Sequence, residues 1–168
     1  MAIQYNEKTQ IFSLHTKNST YQMKVDNHRY LLHLYYGRKL DADMDYMLTY
    51  FDRGFSGNPY DADMDRTYSL DVLPQEFPVL GTGDYRSTAF KIREENGCYG
   101  CDLRYMGYDI LDRKYTLTGL PSAYSDQAQT LAIRLKDERT GVEVTLFYGV
   151  LEDCDVITRS VKVSNAGK

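Results

Sequence analysis

Over much of its length the chain alternates apolar and polar residues, at the two-residue period of strands with one buried face. Residues 10–17 set Phe12 and Leu14 opposite Ile11, Ser13 and His15. After a turn at Asn18-Ser19, residues 19–25 put Tyr21, Met23 and Val25 on one face. Residues 30–36 (YLLHLYY) are denser in apolar side chains, as expected of a strand covered on both faces. Three short strands joined by turn residues predict a meander. Between 37 and 83 the alternation lapses. Leu40, Met44, Met47, Leu48 and Phe51 there fit one short helical face, and FSGNPYDADMD reads as loop around Gly57-Asn58-Pro59. A stretch this long without regular structure marks a functional or binding surface.

Strands resume beyond it. Residues 89–94 and 102–106 are expected to pair across the NGCYGC turn, with shorter strands at 108–112 and 115–117. Residues 129–136 turn Leu131, Ile133 and Leu135 inward. A hairpin turn at 137–141 leads to a strand whose inner face is Val142, Val144, Leu146, Tyr148 and Val150. After a turn at 152–155, Ile157, Val161 and Val163 carry a last strand. The pattern predicts an all-β fold, an antiparallel β-sandwich with little helix. The 168 residues suit one domain. The chain ends VKVSNAGK, where Asn165-Ala166-Gly167 is a turn signal directly after a strand, so we expect the N-terminal part of a longer polypeptide.

Composition adds exclusions. Hydrophobic residues make up 42% and charged residues 26%, an ordinary balance that can fill a core. A net charge of −4 with no basic block argues against nucleic acid as a partner. The opening MAIQYNEKTQ lacks the apolar stretch of a signal peptide, and no apolar run approaches the ~20 residues of a membrane helix. A soluble, cytoplasmic protein is expected. There are 16 Tyr and no Trp, which suits sheet surfaces and also suits stacking on sugar rings.

The pentapeptide DADMD occurs at 41–45 and again at 61–65. It resembles the start of a calcium loop. Such a loop needs a glycine at its sixth position and a glutamate at its twelfth; Tyr46 and Arg66 occupy the sixth, Asp52 and Val72 the twelfth. No calcium site is expected. The three cysteines, Cys98, Cys101 and Cys154, argue against a disulfide framework. Cys98-Tyr99-Gly100-Cys101 lies between strand-like runs rather than at the start of a helix, and it lacks the second pair of a zinc site. We read these as reduced hairpin cysteines, with no metal and no cofactor. No GxSxG, HExxH, phosphate loop or GxGxxG is present. The densest polar cluster is Asp52-Arg53-Gly54-Phe55-Ser56-Gly57-Asn58-Pro59, followed by Asp65-Arg66 and Asp71. Its carboxylates and guanidinium forks can hold neighbouring sugar hydroxyls, or can pin a turn among themselves.

The succession YLLHLYYG, FDRGFSGNP, DRTYSLDVLPQEFPVLGTGDYRSTAF, DLRY, GLPSAY and LFYGVLEDCDVITRSVKVSN resembles the N-terminal β-supersandwich domain of bacterial α-galactosidases of glycoside hydrolase family 36. The likeness runs from about Tyr5 to Asn165. It implies that 1–168 is the first half of that domain, preceding a (β/α)8 barrel that is not part of this sequence. A retaining pair of aspartates belongs to the barrel, so this segment alone should hydrolyse nothing. The resemblance further implies a tetramer in which the N-terminal domain of one subunit reaches a neighbour's active site. It assigns Asp52 to substrate binding with Arg66 beside it, and makes α-galactosides of the melibiose and raffinose type the expected sugars. On this reading the DADMD repeat is incidental to the loop that bears the contacts. The alternatives are a stand-alone carbohydrate-binding β-sandwich and a scaffold used only for oligomerisation.

Overall fold

The protein is described by a computed structural model covering residues 2–54, 57–165 and 167. Phe55 and Ser56 of the polar cluster, and Ala166 of the C-terminal turn signal, lie outside these residues. Among the described residues, eight strands form two four-stranded sheets. The first is a meander of β1 (Ile3–Asn6), β2 (Ile11–His15), β3 (Ser19–Val25) and β4 (Leu31–Arg38). The second is a meander of β5 (Arg104–Leu111), β6 (Gln129–Lys136), β7 (Val142–Leu151) and β8 (Val156–Asn165). All neighbouring pairs are antiparallel. The expected all-β sandwich is what the chain forms.

Alternation decides which side chains meet between the sheets. Phe12, Leu14, Met23 and Val25 from the first sheet join Leu131, Ile133, Val144, Leu146 and Val150 from the second in one buried cluster. Each such side chain contributes about 1.5–3 kcal/mol by leaving water. Tyr5 stacks on Phe12 at 4.3 Å, and Tyr108 meets Phe12 edge-on at 5.0 Å, tying β1, β2 and β5 together. Gln129 Oε1 accepts from the backbone N–H groups of Ala2 and Ile3, joining the start of the chain to β6.

The dense strand β4 is covered on both faces as expected. Leu31 faces the other sheet, while Leu32 and Leu34 face outward into a second cluster with Leu48, Ala62, Tyr68, Leu70 and Leu73. The long irregular segment is therefore packed against the outer face of the first sheet. It holds two single-turn 3-10 helices, Asp45–Met47 and Tyr60–Ala62. The expected helical face at 40–51 is reduced to the first of these: Leu48 is buried, but Met47 and Phe51 are more than half exposed.

Four expectations need correction. Ile3–Asn6 forms a strand that the alternation reading passed over. Residues 89–94 do not pair with 102–106; Phe90 makes one parallel bridge to Val79, and the Glu94 backbone N–H donates to Cys98 O within a turn. Phe90 and Ile92 alternate because they pack on the core, not because they form a ladder. The strands expected at 102–106 and 108–112 are one strand, β5, with a register shift between Tyr105 and Gly107 that breaks the period. Residues 115–117 are not a strand.

Candidate functional site

The site is built on the irregular segment, and the two copies of DADMD are what hold that segment down. In the first copy, Asp43 accepts from Asn6 and Thr9 in the β1–β2 turn, and Asp45 pairs with Lys24 on β3 at 3.1 Å. In the second, Asp61 takes both terminal nitrogens of Arg104 on β5, at 2.8 and 3.1 Å. Arg104 is nearly buried. It also holds Asp102 and lies over the Tyr30 ring at 4.1 Å. The hydrogen bonds from Arg104 hold the Asp61 carboxyl below its ordinary value. Asp65 ends the second copy by accepting from the Thr67 N–H and hydroxyl, which fixes the backbone just past Arg66. Four of the six acids of the repeat, Asp43, Asp45, Asp61 and Asp65, thus have structural partners. Among the described residues, no group of three or more His, Cys, Asp or Glu side chains is arranged to hold a metal ion.

Asp52 and Arg66, separated by 14 residues in sequence, come together as the resemblance implied. Arg66 Nε donates to Asp52 Oδ1 at 3.1 Å, and Arg66 Nη2 lies 3.0 Å from the same oxygen. The Gly54 N–H donates to it at 2.7 Å. Gly54 has a φ of 75°, in the left-handed region that a side chain disfavours, which lets the backbone curl back onto Asp52. The pair is more than half exposed, at 57% for Asp52 and 59% for Arg66. All three recorded bonds fall on Oδ1; among the described residues Oδ2 receives none. The turn therefore orients the carboxylate and leaves part of its accepting capacity outward. The cluster pins its own turn.

The surroundings are apolar and open. Tyr46, Met47, Tyr50, Phe51, Tyr60 and Met64 expose between 49% and 102% of their surface along the same segment. Gly57 packs directly on Gly83, where a Cβ would overlap the Gly57 carbonyl. This close approach joins the loop to the GTGDYR block. Arg53 donates its N–H to Arg66 O at 3.3 Å, and Asn58 Nδ2 donates to Asp65 O at 2.7 Å.

The cysteines take no part. Cys101 is buried and Cys98 exposed, and burial together with Asp137 pushes the Cys101 thiol up to about 12. That suppresses the thiolate a redox motif requires.

The profile of the glycosyl hydrolase family 36 N-terminal domain matches residues 29–168. The chain belongs to this family. It is 60% identical, over 99% of its length, to the bifunctional alpha-galactosidase/sucrose kinase AgaSK of Mediterraneibacter gnavus, and covers 18% of that protein. It is 40% identical, again over 99%, to alpha-galactosidase AgaA of Geobacillus stearothermophilus, covering 23% of it. The solved galactosidase domain of AgaSK superposes with a TM-score of 0.95 over 99% of this chain and 23% of that one. The structure of a variant AgaA in complex with raffinose, 40% identical, superposes with a TM-score of 0.87 over 94% of this chain and 22% of that one. The family 36 chain thus spans about a fifth of the length of these relatives.

Sequence reasoning missed one further polar centre. Glu76, on the stretch that lies along β4 through the Leu32–Gln75 bridge, is buried between the sheets. It accepts from Tyr21 on β3, Tyr148 on β7 and Arg159 on β8, at 2.5–2.8 Å, and lies 3.5 Å from His33 Nδ1. Burial alone would raise its pKa; His33, Arg159 and the two tyrosines together hold it below the ordinary value. Glu76 stands in the SLDVLPQEFPVLGTGDYR block, so the block was visible as a resemblance. The role of the glutamate was not, because its partners come from four strands.

Proposed function

We propose that the chain is the N-terminal segment of an α-galactosidase that removes terminal α-D-galactose from oligosaccharides of the melibiose and raffinose type. Membership of family 36 supports this most directly, because the relatives it matches are named α-galactosidases. Raffinose and stachyose appear with AgaA variants in the solved structures. Hydrolysis would proceed with retention through two aspartates of a barrel outside this chain. The segment's own part is structural support, contacts within a homotetramer and one contact to the sugar.

That contact is Asp52. Galactose is distinguished by its axial 4-hydroxyl. A carboxylate held in one orientation by Arg66 and the Gly54 N–H can accept from two neighbouring hydroxyls. It discriminates because a wrong sugar leaves a desolvated acceptor unpaired. The open, aromatic-rich surface around Asp52 suits a site completed by a second subunit rather than one closed within this chain.

The test is the full-length polypeptide assayed side by side on nitrophenyl α-galactoside, β-galactoside and α-N-acetylgalactosaminide. Turnover of the α-galactoside, with none from residues 1–168 alone, is expected. Turnover of none of the three overturns the proposal, and preference for the N-acetylated substrate reassigns the specificity.

A further inference from the structure

A cleft of about 550 Å³ opens on the side of the molecule where the Pro74–Glu76 stretch meets β3, β4 and β8. It falls within the roughly 300–1,000 Å³ typical of small-molecule sites. Two carboxylates lie at its base, Glu76 and Asp84, both nearly inaccessible to solvent. Every oxygen of these two is already engaged. Glu76 Oε1 accepts from Tyr21, Tyr148 and Arg159, and Oε2 from Tyr21 with His33 beside it. Asp84 Oδ1 accepts from the Arg86 N–H and Nε, and Oδ2 from Gln75 and Arg86 Nη2.

The cations lie on the outside. The side chains of Arg159 and Arg86 are 50% and 45% exposed, and that of His33 is 34% exposed. Of the Arg159 guanidinium only Nη2 has a recorded acceptor among the described residues, and Arg86 Nη1 has none. Buried carboxylates fix each guanidinium in place, and the donors left over belong to two residues that line the cleft. The lining therefore offers a surplus of donors and no carboxylate oxygen without a partner. The two arginines and the two carboxylates of the lining balance in formal charge, so what the cleft offers is donors without acceptors rather than an excess of cations.

We infer that this cleft is a binding site for a small oxyanion, a phosphate or carboxylate group, held between Arg86 and Arg159. Arg86 would donate through Nη1 and Arg159 through Nε and Nη1, and guanidinium groups already held in place lose little freedom on binding. The exposed Tyr36 ring and Pro74 at the rim provide an apolar surface for the body that carries the anion. The site shares no residue with the Asp52–Arg66 pair and does not depend on the glycosidase reading.

Calorimetric titration of the intact protein with inorganic phosphate tests it. Saturable binding is expected. Ser87→Glu places a negative charge at the exposed rim without touching either buried carboxylate, and should weaken binding by about tenfold or more. Arg159→Lys keeps a cation for Glu76 but removes the spare donors, and should weaken it as well. Ser122→Glu, an exposed change outside the cleft, should leave it unaltered. A carboxylate and a phosphate ester titrated in parallel distinguish which anion the site prefers. Absence of saturable phosphate binding overturns the inference. So does equal weakening by Ser87→Glu and Ser122→Glu, which would reduce the effect to diffuse charge.

Discussion

Asp52 and Glu76 show how exposure alone changes what a carboxylate does. Asp52 is open to water, so its pairing with Arg66 adds only about 0–1 kcal/mol to folding. Its value lies in the orientation that pairing gives. In the full-length enzyme, Asp52→Ala should lower kcat/KM by roughly tenfold or more, about 1.4–3 kcal/mol, with an unchanged melting temperature. Unaltered kinetics would remove Asp52 from the substrate site. Glu76 is the opposite case. Buried and held by three strong donors, it bolts both sheets together, and Glu76→Gln should cost about 2–4 kcal/mol in a denaturant titration at neutral pH. Its folded pKa lies below the ordinary 4.5. The stabilisation is therefore present above 4.5 and is lost as pH falls through the lower folded value. The gap between the native chain and Glu76→Gln should narrow on acidification. A gap that widens in acid would contradict the depressed pKa.

At the level of elements, the alternation of apolar and polar residues located β2, β3, β6, β7 and β8 and a dense apolar run located β4, although β2 is buried throughout, β8 has no buried residue, and only the first half of β7 alternates cleanly between buried and open positions. It failed where burial and pairing part company. Phe90 and Ile92 alternate into the core, yet their backbone has a single bridge and no ladder. The stretch from 40 to 73 shows no period because Leu48, Ala62, Tyr68, Leu70 and Leu73 reach the outer face of β4 from turns rather than from a repeating element. The candidate pair Asp52 and Arg66 could be named only through resemblance. The bonds that place it, Asp61 with Arg104 and Gly57 against Gly83, join distant parts of the chain and leave no local pattern. That dependence can be measured. Gly83 has a φ of 87° and no room for a Cβ beside the Gly57 carbonyl. Gly83→Ala should therefore combine strain with displacement of the loop, destabilising by about 1–3 kcal/mol. In the full-length enzyme it should also lower kcat/KM, although Gly83 itself would touch no sugar. Full activity in that variant would show that the Gly57 contact does not position Asp52.

For the whole molecule, the proposed role of Asp52 raises the question of which subunit's site it would serve. The surface around it exposes Tyr60 completely and Met64 almost so, while the two sheets bury their own core on the other side of β4. A loop anchored this firmly, yet exposing so much aromatic surface, is suited to entering a neighbouring subunit's site in a closed symmetric assembly. If it does, the sugar contact and the catalytic aspartates of one functional site belong to different chains. Two full-length variants should then complement each other: one with Asp52→Ala and an intact barrel, the other with intact Asp52 and a disabled nucleophile. After dissociation and reassembly together, mixed oligomers bring the intact barrel of the first against the intact loop of the second. Activity on nitrophenyl α-galactoside should rise above the sum of the separately reassembled variants. No rise, with mixed oligomers demonstrated by mass, would place Asp52 at the site of its own subunit and leave the exposed aromatic surface to packing alone.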